Sequence, residues 1–108
     1  MYERIIQVIT STQNKEDAEK IAAELIQTKL AVCTQILGPV SSSYWWNGNI
    51  ETVNEWLCII KSKKSLYNKI EAAIKKMHPY QIPEILALPV IEGNKDYLKW
   101  LDNEVQQA

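Results

Sequence analysis

Apolar and polar positions alternate along this chain with two periods, and the switches between them mark out its elements. From Tyr2 to Thr10 the run Ile5-Ile6-Gln7-Val8-Ile9 is rich in β-branched residues and predicts a first strand. Ser11-Thr12-Gln13-Asn14 breaks it. Asn14 predicts an N-cap with Asp17 three residues on. Ala18, Ile21, Ala22, Leu25 and Ile26 then recur at helical spacing, which carries an amphipathic helix to Lys29.

Strand composition returns from Leu30 to Leu37 and stops at Gly38-Pro39, a turn or bend signal. A second extended piece, Val40 to Trp46, follows at once. Asn47-Gly48 is a strong hairpin cue, because both central residues of a type I′ turn need positive φ. The return strand runs from Ile50 to Lys61, long for a globular domain. Within it Trp56-Leu57-Cys58-Ile59-Ile60 is apolar on both alternating faces, so both faces should be covered. One small domain has helices for one face, and a second copy of the chain is the simplest cover for the other.

Ser65 or Ser62 predicts the cap of a second helix, with Leu66, Tyr67, Ile70, Ala73, Ile74 and Met77 on one side and Lys69, Lys75 and Lys76 on the other. His78-Pro79 stops it. Ile85 to Val90 is a last strand, and Pro89 within it requires an edge or a strand end. Gly93-Asn94 opens a final helix with Tyr97, Leu98, Leu101 and Val105 as its apolar stripe. The order β-α-β-β-α-β plus a helix predicts an α+β fold. With right-handed crossovers it is the ferredoxin-like sandwich, the first and third strands central, here with a long β-hairpin and an extra C-terminal helix.

Composition narrows the function. The 108 residues suit a single domain, 1–108, with a modest core. Twelve Lys and Arg against 13 Asp and Glu leave a net charge of −1, without the basic patch that nucleic acid or an anionic membrane needs. No apolar run approaches the ~20 residues of a membrane span, and Met1 to Arg4 leads into a strand without a signal-peptide core, so a cytoplasmic protein is expected. Cys33 and Cys58 are then expected to be reduced. Four Trp and five Tyr without Phe give aromatic rings that each carry a polar edge, which favours interfaces.

The chemistry gathers in a few places. His78-Pro79-Tyr80-Gln81-Ile82-Pro83-Glu84 cannot be helical and must be a stiff connector bearing polar groups. Cys33 and His78 are the metal-ligand candidates, since thiolate and imidazole suit copper and zinc. Glu55, Lys61, Tyr80 and Glu84 form a second set. Glu55 and Lys61 share a strand face, and a carboxylate, ammonium, imidazole and phenol together suit a small anionic or zwitterionic metabolite. The same residues also fit a purely structural role: Cys33 as a small buried strand residue, His78 as a helix cap, and the polar set as a network joining subunits. No Ser/His/Asp set, phosphate-binding glycine loop or paired-carboxylate spacing is present, so catalysis is not expected.

The chain resembles the CutA family, the divalent-cation-tolerance proteins, over its whole length. The resemblance rests on Leu30-Ala31-Val32-Cys33, Tyr44-Trp45-Trp46-Asn47-Gly48, Glu55, Lys61-Ser62, His78-Pro79-Tyr80, Ile82-Pro83-Glu84, Gly93-Asn94, Tyr97-Leu98 and Trp100-Leu101. It implies a homotrimer similar to the PII-type signalling proteins, with hairpins and sheet edges pairing between subunits. It also implies a role in tolerance of copper or another divalent cation. Copper-binding members offer a further cysteine and a second histidine where this chain has Thr10 and Met77, and family members often carry an acid where it has Gln81.

Overall fold

The computed structural model describes residues 4–107. The β-branched first run forms β1 (Ile5–Thr12) and the helical repeat forms α1 (Lys15–Gln27); the expected start at Tyr2 lies outside the described residues. Asn14 caps α1, its side-chain oxygen accepting from the Asp17 amide at 3.0 Å. Lys29, at φ 61, turns the chain out of the helix in the left-handed region. Leu30 and Ala31 are buried in this exit, so β2 (Cys33–Trp46) begins at Cys33 and not at Leu30.

Two further expectations are corrected. Gly38-Pro39 is not a turn: β2 passes through it as a β-bulge, with Leu37 opposite Leu57 and Val40 opposite Glu55. Two residues thus face Trp56 alone, and the proline, which lacks a donor, falls where the ladder is already interrupted. Ser62 caps no helix, because its hydroxyl donates to the Leu30 carbonyl at 2.6 Å. Ser65 lies inside a 3-10 turn, Lys64–Leu66, that leads into α2 (Tyr67–Met77), which has no side-chain cap.

Asn47 and Gly48, at φ 50 and 80, make the tight turn from β2 into β3 (Asn49–Lys63). After the connector come β4 (Ile85–Pro89) and α3 (Lys95–Glu104), the latter capped by Asn94, whose side chain accepts from the Tyr97 amide at 3.0 Å. The antiparallel sheet has the order β2-β3-β1-β4. Its central strands are the first and third and its proline-bearing strand is an edge, which is the expected ferredoxin-like arrangement.

One sheet face is closed by α1 and α2, where Ile6, Val8, Cys58 and Ile60 are buried with Ile21, Leu25, Ile70 and Ile74. α3 closes one end of the sheet: Leu101 and Val105 are buried there, and Lys63, 2% exposed, reaches Asp102 at 3.4 Å. The opposite face carries Ile9, Leu57, Ile59, Leu37, Leu86 and Leu88, the last two and Leu37 exposed. β1 pairs β3 only as far as Trp56, so from Glu55 outward the hairpin is a two-stranded ribbon. It stretches the molecule to 47 × 25 × 21 Å and ends in exposed Trp45, Trp46 and Ile50.

Candidate functional site

The connector after α2 is held by its histidine. His78 is 8% exposed. Its Nε2 lies 2.7 Å from the Ser11 carbonyl oxygen, and its Nδ1 lies 3.1 Å from the Tyr80 backbone N–H. A carbonyl can only accept and an amide N–H can only donate, so the tautomer with its proton on Nε2 satisfies both contacts. Its ring also meets that of Tyr80 at a centroid distance of 4.7 Å. Tyr80 is thereby aimed at β3, where its hydroxyl donates to Glu55 Oε2 at 2.7 Å. Burial, and next the hydrogen bond and charge of Glu55, push the phenol well above the usual tyrosine range, so it stays a donor.

Around this pair lies a cleft of about 620 Å³. Its walls come from the connector (Tyr80, Gln81, Ile82, Glu84), the end of β1 (Ser11) and the hairpin ribbon (Ser42, Ser43, Tyr44, Trp46, Glu51, Glu55). The bulge decides which hairpin residues take part. Cross-strand partners share a face; by shifting register, it sets Val40 opposite Glu55 and Tyr44 opposite Glu51, so Tyr44 and Trp46 join the carboxylates. Glu55 is 5% exposed, whereas Glu51 and Glu84 are solvent-exposed. Among the described residues no Lys, Arg or His lines the cleft.

The four residues of the expected polar set therefore separate. Glu55, Tyr80 and Glu84 come together. Lys61 lies six residues along β3, about 20 Å at strand rise, where its Nζ sits 5.9 Å from the centre of the Tyr97 ring. It lines a smaller cavity of about 210 Å³ with Gln7, Glu92 and Tyr97.

Cys33 and His78 are also apart. Cys33 is half-buried at the start of β2, opposite Lys61 and level with Gln7. His78 binds Ser11, four rungs further along, or about 13 Å, and two strands across. Thr10 is fully buried on the helix-covered face, its hydroxyl without a partner among the described residues, and Met77 packs against the core. Neither joins Cys33, which is on the other face.

Comparison with known proteins settles the kinship. The sequence model of the CutA1 divalent ion tolerance proteins matches residues 6–104. The chain belongs to the CutA1 family. Protein CutA 1, chloroplastic, of Oryza sativa subsp. japonica is 39% identical over 103 residues, 95% of this chain and 58% of its own length, so the chain spans little more than half of that relative. The divalent-cation tolerance protein CutA of Thermus thermophilus is 37% identical over 94 residues, 87% of this chain and 91% of its own. The crystal structure of CutA1 from Oryza sativa matches at a TM-score of 0.95 and 37% identity, covering 99% of this chain and 98% of that one. The structure of the divalent cation tolerance protein from Thermus thermophilus matches at 0.92 and 34%, covering 94% and 99%.

The CutA1 family is named for divalent cations, and Cys33 and His78 are donors of suitable softness. Within one chain they do not fit such an ion: they lie apart, and both imidazole nitrogens are engaged. Among the described residues no three Cys, His, Asp or Glu side chains converge on a point that would hold a metal. Sequence reasoning missed Glu51, Tyr44 and Ser11 as cleft residues. The signal was present in Gly38-Pro39, which taken as a bulge puts Tyr44 on the face of Glu51 and Glu55.

Proposed function

We propose that this chain works as a cytoplasmic homotrimer that binds a divalent metal, copper foremost, and contributes to metal-ion tolerance without catalysing a reaction. The observation that carries this is the sheet face opposite α1 and α2, whose Leu37, Leu86 and Leu88 are exposed. A two-stranded ribbon is marginal in water, and an apolar face of this size marks an association surface. The free edges belong to different strands, β2 and β4. Pairing one with the other between copies is head-to-tail, a contact that closes into a ring when the rotation between copies allows, and a trimer is such a ring.

Kinship with divalent-cation tolerance proteins supports the metal, and Cys33 on the open face supports its softness. A closed metal site needs about four ligands, which the described residues of one chain do not bring together, so in this reading they come from more than one copy. Two free thiols support the reducing cytoplasm. Light scattering across a wide concentration range should give three chain masses, and copper titration of the reduced protein should saturate and be lost in Cys33→Ala. A concentration-independent monomer removes the trimer. Copper binding that is absent, or unchanged in Cys33→Ala and His78→Ala, removes coordination by these residues.

The 620 Å³ cleft favours a second reading, in which the trimer is a PII-like sensor for a small ligand. Since Lys61 lies elsewhere, the described residues of that cleft present carboxylates and no ammonium.

A further inference from the structure

The cleft between the connector and the hairpin ribbon has the wrong charge for an anion. It is also the wrong shape for a metal ion. Glu51 and Glu55 share one face of β3 but stand four residues apart, about 13 Å along the strand, and Glu84 comes from the connector across the cleft. No three acids converge among the described residues.

Two further observations describe what would fit. Glu55 is 5% exposed, yet the only group bonded to it among the described residues is the neutral hydroxyl of Tyr80. A buried carboxylate without a counter-charge is costly, and a cation entering the cleft relieves that cost. The rest of the lining is aromatic: Tyr44 and Trp46 stand beside the carboxylates, and the faces of such rings attract organic cations. Spaced carboxylates, ring faces and a volume in the small-molecule range specify an elongated organic cation.

We propose that this cleft binds a linear aliphatic polyamine. One ammonium lies on Glu55 beside Tyr80, a second reaches Glu51, and the methylene spacer runs along Tyr44 and Trp46. The proposal rests on the sensor reading of the cleft and gives its ligand a chemical class. The Tyr80 hydroxyl donates to Glu55 Oε2, which leaves Oε1 of the carboxylate for the incoming ammonium.

The test is calorimetric titration of the native, assembled protein with spermidine, with magnesium chloride, inorganic phosphate and an oligolysine peptide as comparison probes. Spermidine should bind saturably, about tenfold or more weaker in Glu55→Gln, as expected for a lost charge-assisted hydrogen bond. Glu51→Gln, on a solvent-exposed residue, and Trp46→Leu should each weaken it severalfold. Magnesium at equal charge should not displace it. Four results overturn the proposal: no saturable binding, binding indifferent to both Glu55→Gln and Glu51→Gln, displacement by magnesium as by any counterion, or oligolysine binding in preference. If phosphate instead binds and is sensitive to Glu55→Gln, the polyamine falls and the sensor reading stands; if no probe binds, both fall.

Discussion

At the scale of single residues, burial and pairing decide what each polar group can do. His78 has spent both nitrogens on backbone partners, so it orients Tyr80 and is no free ligand. Its sequence position already implied a helix stop; only the structure supplied Ser11, 67 residues away in sequence, as its second anchor. Cys58 is the clearer titration case. Burial in the core pushes its thiol from an ordinary 9.0 up to about 11. The unfolded chain then releases this proton first, so the contribution to stability is intact below pH 9 and is lost as pH rises towards 11. That loss amounts to about 2–3 kcal/mol. Denaturant titrations of the wild type and Cys58→Ala should show the wild-type advantage shrinking as pH rises from 9.0 to about 11. A constant difference would mean that the thiol does not ionise in the unfolded chain alone.

At the scale of elements, the bulge in β2 is the feature with the widest consequences. A Cβ on Gly38 would come within 2.8 Å of the Trp56 ring. That ring also carries the Lys15 ammonium at 5.3 Å from its centroid. Gly38→Ala should therefore cost about 1–3 kcal/mol, as overpacking does, read as a lower denaturant midpoint. It should also weaken ligand binding in the cleft, because the bulge sets the face on which Tyr44 and Trp46 lie. The helices were legible because amphipathic spacing and Asn caps are local signals, and Asn14 and Asn94 act as such. The bulge was not, because glycine and proline together mark a turn as readily as an interrupted ladder, and only the pairing with β3 distinguishes them.

At the scale of the whole molecule, the open sheet face is the dominant fact. Leu86 is 57% exposed in the chain alone, so Leu86→Glu removes almost nothing from the core. In an assembly that covers this face it buries an unpaired carboxylate, which costs several kcal/mol. Leu86→Glu should thus be folded by circular dichroism yet monomeric by light scattering. A variant that keeps the wild-type mass would show that assembly does not use this face. The doubly apolar run Trp56 to Ile60 had announced two covered faces, and the fold supplies helices for one.

The polar set around the connector shows where the sequence ends and the structure begins. Period, caps, turn residues and proline placement are encoded within a few positions of one another, and they determined the element order, the central pair of strands and the edge position of β4. Relations between distant segments are not local. Glu55 and Lys61 agree in parity, but an extended strand separates them, so parity alone could not say that one faces the cleft and the other α3. Cys33 and His78 agree in chemistry, but four rungs of sheet lie between them. The tertiary structure decided both, because register and the bulge in β2, and not residue type, fix which side chains meet.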